Sequence, residues 1–184
     1  MNQYWVRWST IKAVVTRWFR PSAVYRSVED IDMRALYSAG HRTVILDLDN
    51  TLMSYNEYTL SLQKLTWIET VKSLGFHVII VSNNRSQSRV ESVCQAAAVP
   101  GMRFACKPWL SAFQEFLDHS GIYVDDPIVI GDQLFTDIVF ANRLGGYGIL
   151  VQPLDPDSDS ILKIPQREIE RALLKWFGFG SLSA

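Results

Sequence analysis

Five short apolar runs constrain the fold of this chain more than any other feature of its sequence. They are Thr43–Leu48, His77–Val81, Met102–Ala105, Pro127–Ile130 and Tyr147–Val151. Each is too short for a stable helix, and most are rich in the β-branched residues that fit a pleated, buried surface. Helix-length segments separate them: Ser61–Leu74, Gln87–Ala98, Leu110–His119 and Phe135–Leu144, three of which stop at Gly75, Gly121 and Gly145. A further helix is expected over Asp30–Ala39, ended by Gly40, and a last one from Pro165 through Trp176, with proline suited to the first turn. All-apolar strands alternating with helices predict an α/β fold, a five-stranded parallel sheet covered on both faces. Ligands of such sheets bind beyond the carboxyl ends of the strands.

The strand ends are where the polar chemistry gathers. The first run ends in Asp47-Leu-Asp-Asn-Thr-Leu52. Asp47 and Asp49 are two residues apart, so an extended backbone points both carboxylates the same way. Two like charges this close are costly without a cation between them, and carboxylate oxygens suit a hard ion such as Mg2+. One carboxylate can attack phosphorus while the other handles a proton. A solvated loop is the bland alternative for an isolated Asp-x-Asp. Ser82-Asn83-Asn84 follows the second run and offers a hydroxyl and backbone N–H groups to phosphate oxygens; it also suits an ordinary turn or helix cap. Lys107-Pro108 follows the third and supplies a cation. Gly131-Asp-Gln-Leu-Phe-Thr-Asp137 follows the fourth. Its Asp132 is expected beside the first aspartates, and Asp137 supports from the next helix or serves as a helix-start acid.

This ordered set, each member about one strand-helix unit after the last, resembles the haloacid dehalogenase-like (HAD) superfamily of phosphotransferases. The stretches Leu46–Leu52, Val81–Asn84, Lys107–Pro108, Gly131–Asp137, Asn142–Gly145 and Leu150–Pro153 are similar to its subfamily IIIA branch, the YqeG-like and phosphatidylglycerophosphate phosphatase-like proteins. The resemblance implies a Rossmann-like HAD fold and a Mg2+-dependent phosphomonoester phosphatase working through an aspartyl-phosphate. It implies Asp47 as nucleophile and Asp49 as acid and base. It places Mg2+ on Asp47, Asp132 and the backbone carbonyl of Asp49. Ser82, Asn83 and Lys107 become the phosphate-binding group, and Thr51 and Asp137 the supporting residues. The implied substrate is a lipid phosphate, phosphatidylglycerophosphate. A soluble sugar phosphate, nucleotide or phosphoprotein is the alternative, and a non-catalytic adaptor on the same fold a further one. No stretch between the motifs has room for an inserted cap domain, so a capless site is expected, with only 53–58 as a small flap.

Charge divides the chain into 1–28 and a phosphatase domain over 29–184. The first acidic residue is Glu29, after Arg7, Lys12, Arg17, Arg20 and Arg26, and Trp5, Trp8, Ile11, Val15, Trp18 and Phe19 share one helical face. Three readings stay open for this segment: peripheral contact with an anionic membrane, an organelle transit peptide, and a helix docked on its own core. The expected location is cytoplasmic, at the inner face of a membrane, or alternatively an organelle. The formal net charge of -1 gives no basis for nucleic-acid binding. Cys94 and Cys106 are too few for a disulfide framework. His41, His77 and His119 stand apart near element boundaries, and Arg167, Arg171 and Lys175 read as a solvated face of the last helix.

Overall fold

The computed structural model describes residues 8–156 and 164–179. Trp5 and Arg7 of the basic segment lie outside them, as do 157–163. The chain runs α1 (Trp8–Phe19), β1 (Ala23–Tyr25), a 3-10 turn (Val28–Asp30), α2 (Met33–Ser38), β2 (Thr43–Leu46), α3 (Leu62–Ser73), β3 (His77–Val81) and α4 (Gln87–Ala97). It continues through β4 (Gly101–Met102), α5 (Ser111–Ser120), β5 (Ile128–Gly131), a π-helical segment (Leu134–Ile138), α6 (Val139–Leu144), β6 (Tyr147–Val151) and α7 (Ile164–Trp176).

The sheet is parallel, as expected, with strand order β1-β6-β5-β2-β3-β4. β2 sits in its middle, so Asp47 and Asp49 emerge between the ends of β3 and β5. The five expected strands are all present. β1 is the sixth, pairing Val24 with Leu150 at the sheet edge. Three half-buried residues next to an amphipathic helix carry no strand pattern of their own; pairing with β6 alone makes them a strand.

Alternation along the strands sorts the core into two layers. Val44, Leu46, Val78 and Ile80 pack with Ile68 of α3 and Val90 and Val93 of α4. Ile45, Ile79, Val81 and Val129 face the other way onto Phe113 of α5 and Phe140 of α6. Serine caps start two helices: Ser61 Oγ accepts from Lys64 N at 3.3 Å, and Ser86 Oγ from Arg89 N at 3.4 Å. The helix expected over 30–39 splits, because Asp32 Oδ1 accepts from Ala35 N at 3.0 Å and starts α2 afresh. β4 is shorter than expected. At Gly101 a side chain would lie 2.5 Å from Cys94 Sγ and 2.9 Å from Ile80 O, so only glycine lets this edge strand approach. The expected helix 135–144 begins instead as the π-helical segment, a form often found at functional sites. No helix among the described residues is long and apolar enough to cross a membrane.

Candidate active site

The motif residues converge at the carboxyl edge of β2, β3 and β5. Asp47 N donates to Ile130 O at 2.9 Å, which keeps the sheet ladder running up to the first aspartate. Asn50 then adopts a left-handed φ of 64°, a conformation Asn tolerates, and its N–H turns back to Met53 O at 2.7 Å. Thr51 Oγ1 thereby reaches Asp47 Oδ2 at 3.2 Å. Lys107 Nζ donates to Asp47 Oδ1 and to Asp137 Oδ1, both at 2.6 Å. Asp137 Oδ2 in turn accepts from Gln133 N at 3.1 Å. Gly131 makes room for this packing, since a methyl there would lie 2.5 Å from Asp137 Oδ2.

Electrostatics follow from burial. Burial pushes the Asp47 carboxyl up to about 8; the Lys107 ammonium opposes this, while Asp137 and Asp132 add to it. Burial works against the Lys107 charge as well, but the Asp137 and Asp47 carboxylates outweigh it and raise its pKa. Asp47, Asp132 and Asp137 each bring a carboxylate oxygen within 4.8 Å of the others, all three buried. Lys107 and Arg167, which pairs with Asp132 and Glu170, do not balance the three aspartates and that glutamate. A buried cluster of hard oxygen donors with excess negative charge fits a divalent cation. Asp137, expected only in support, thus joins the triad, while the Asp49 side chain is turned elsewhere.

Asp49 Oδ1 accepts from Arg89 Nε at 2.9 Å, and its Oδ2 accepts from Asn84 Nδ2 at 2.8 Å. Ser82 is buried, and its Oγ accepts from Asn84 N at 3.0 Å. The Asn83 side-chain amide is engaged with the backbone of Lys107, which leaves its backbone N–H as the group for phosphate: Oδ1 accepts from Lys107 N at 2.7 Å and Nδ2 donates to Lys107 O at 3.0 Å. Its side chain therefore orients the lysine. Asp47, Asp49, Ser82, Asn83, Asn84 and Lys107 line a cleft of about 380 Å3 together with Tyr55, Gln133, Thr136 and Gln166. A groove of about 430 Å3 at the β4 edge contains none of the motif residues. The histidines and cysteines do not line the cleft.

Sequence reasoning missed two arginines. Arg89 carries no motif of its own, and only the docking of α4 against the loop after β2 brings it to Asp49. Arg167 was read as solvated. It instead donates from Nη2 to Asp132 Oδ2 at 2.5 Å and from Nη1 to Asp132 O at 2.7 Å. Buried Glu170 accepts from Leu134 N at 3.1 Å and Phe135 N at 3.4 Å. Helix α7 thus braces the Asp132 loop. Arg171, pairing with Glu168, is exposed as expected.

Residues 9–154 match the family model described as "Mitochondrial PGP phosphatase". The chain belongs to this family of the HAD superfamily, the YqeG and PGP-phosphatase-like proteins. It is 32% identical over 161 residues to "Probable phosphatase YqeG" of Bacillus subtilis, covering 88% of this chain and 92% of that one. It is 27% identical over 163 residues to "Phosphatidylglycerophosphate phosphatase 1, chloroplastic/mitochondrial" of Arabidopsis thaliana, covering 84% of this chain but only 47% of that longer protein. It is 27% identical over 175 residues to "Phosphatidylglycerophosphatase GEP4, mitochondrial" of Saccharomyces cerevisiae, covering 87% of this chain and 90% of that one. Family membership and the buried aspartate cluster together make this chain a HAD-type phosphomonoester hydrolase. Helix α7, with Arg167 and Glu170, lies beyond the matched residues.

Proposed function

We propose that the chain hydrolyses a phosphomonoester in two steps through Asp47, with Mg2+ as the cation. The observation that carries this reading is Lys107 Nζ, 2.6 Å from both Asp47 and Asp137 of a buried three-aspartate cluster. Asp47, Asp132 and Asp137, with the backbone carbonyl of Asp49, would hold Mg2+, which when bound offsets negative charge on phosphate and carboxylates. An Asp47 oxygen attacks phosphorus in line; the bond to the leaving alkoxide breaks, and Asp49 gives that oxygen its proton. Water then attacks the phosphoaspartate, losing a proton to Asp49. Inorganic phosphate leaves and the Asp47 carboxylate is restored. Ser82 and Lys107 hold the phosphoryl oxygens. Positioning and charge stabilisation supply most of the rate in such transfers.

For the substrate we propose a lipid phosphate, phosphatidylglycerophosphate, hydrolysed to phosphatidylglycerol. The family description and the names of the Arabidopsis and yeast relatives support it. So does a cleft to which the segment between β2 and α3 contributes Tyr55 and no inserted domain among the described residues. Helix α1 adds support for work at an anionic membrane surface: it exposes Trp8, Ile11 and Val14 and carries Lys12 and Arg17. A soluble phosphomonoester is the second reading, favoured by the Bacillus relative, whose name gives no lipid and which shares the highest identity of the three.

Phosphate release separates the two. It is measured with Mg2+ and with EDTA, from phosphatidylglycerophosphate in mixed micelles and from a panel of soluble phosphomonoesters, with Asp47→Asn in parallel. Metal-dependent release favouring the lipid, abolished by Asp47→Asn, supports the lipid reading. Release from soluble esters alone keeps the chemistry and discards the lipid. No release from any substrate sinks the catalytic reading.

A further inference from the structure

The Arg89 guanidinium holds three acceptors at once. Nε donates to Asp49 Oδ1 at 2.9 Å, Nη2 donates to Ser54 O at 2.7 Å, and Nη1 donates to Glu57 O. Its side chain is only 9% exposed, so water competes little for these bonds. The two carbonyls belong to a closed turn: Glu57 Oε2 accepts from Ser54 N at 2.7 Å, and Glu57 N donates to Ser54 O at 3.2 Å. Between them sits Tyr55, which lines the cleft. The capped first turn of α4, where Ser86 accepts from Arg89 N, fixes where the guanidinium starts.

We infer that Arg89 is a positioning residue for proton transfer by Asp49, and that it sets the flap carrying Tyr55 and the Asp49 carboxylate in one fixed relation. A planar fork with donors on three nitrogens can satisfy a carboxylate and two carbonyls together; the lysine ammonium, a point charge on a flexible stem, cannot span all three in one geometry. Asn84 alone would leave Asp49 with a single side-chain donor and freedom to rotate. A misplaced Asp49 harms the step in which the leaving oxygen needs a proton; it also slows the attack of water on the phosphoaspartate, a later step that kcat/KM does not contain. The inference rests on the two-step reading given above.

The test compares kcat/KM, with Mg2+, for an alkyl phosphate such as glycerol 1-phosphate and for p-nitrophenyl phosphate, whose leaving group departs without protonation. The expected result is that Arg89→Ala lowers the alkyl value on the order of 100-fold and the aryl value less than about 10-fold. Arg89→Lys should fall between, and Arg89→Ala should add nothing to the alkyl loss already caused by Asp49→Asn. Inhibition by inorganic phosphate should stay unchanged, since Ser82 and Lys107 are untouched. Equal losses on both esters in a variant that melts like the wild type would overturn the inference, as would full additivity with Asp49→Asn. Should the alanine variant fail to fold, the alkyl-to-aryl ratio of Arg89→Lys decides by the same rule. If the wild type hydrolyses neither these esters nor phosphatidylglycerophosphate in mixed micelles, the two-step reading falls and takes this inference with it; if it takes the lipid alone, full additivity of Arg89→Ala with Asp49→Asn on the lipid overturns the inference and non-additivity supports it. If it hydrolyses both esters and the ratio does not move, only Arg89 is refuted.

Discussion

Asp47 shows how a single buried group ties stability to metal binding. Its carboxyl is raised from 3.8 to about 8 in the folded chain, chiefly by burial. Between those values the metal-free folded state keeps a proton that the unfolded state has lost. This contribution to stability is therefore complete below pH 3.8 and is lost as pH rises to about 8. In EDTA, thermal melts should show stability falling toward pH 8, at most about 1.4 kcal/mol per pH unit from this one proton. Asp47→Asn should flatten that dependence, and added Mg2+ should oppose it, because the cation favours the ionised carboxylate. Gly131 is equally constrained, by space. Gly131→Ala puts a methyl 2.5 Å from Asp137 Oδ2. The expected cost is about 2 kcal/mol in denaturant melts, with lower phosphate release because Asp137 and Lys107 are displaced together.

At the scale of elements, α7 matters most for the site. It contributes no motif, yet Glu170 accepts from the backbone of Leu134 and Phe135, and Arg167 grips Asp132. Glu170→Ala would leave the N–H groups of Leu134 and Phe135 without that acceptor and would take from Arg167 one of its two carboxylate partners, Asp132 remaining. A loss of about 3 kcal/mol is expected by denaturant unfolding. Mg2+ affinity, read by calorimetry, should weaken about 10-fold because the loop holding Asp132 loosens. Helix α1 is the opposite case. Among its described residues none is buried, although it packs against α6 and the π-helical segment and Phe19 meets Phe135 edge-on at 5.3 Å.

For the molecule as a whole, the exposed face of α1 bears on where it works. Trp8 is 84% exposed and Ile11 and Val14 lie near it, while the helix carries basic residues and no acidic ones. Replacing Trp8 and Ile11 together by Ala should cut binding to anionic liposomes roughly 10-fold or more in a sedimentation assay. Hydrolysis of a soluble ester should not change. Equal binding by both forms would remove this support for a membrane surface.

Much of this was legible in the residues themselves. Short apolar runs between helical segments determined the parallel sheet, because strand and helix periods are local properties. The polar cluster after each run determined that Asp47, Ser82, Lys107 and Asp132 would meet, because parallel strands all present their carboxyl ends to one edge. Other features depended on contacts distant in the chain. β1 is a strand only because β6 pairs with it. Asp137 enters the aspartate triad only because a π-helical turn and Gly131 bring it against Lys107. Asn83 turns to the lysine backbone because β4 ends beside it. Arg89 and Arg167 carry no local signal: a surface arginine and a buried arginine look alike in sequence. Which one meets an aspartate was decided by helix packing, where the desolvation of a guanidinium is offset only by acceptors the fold brings from elsewhere.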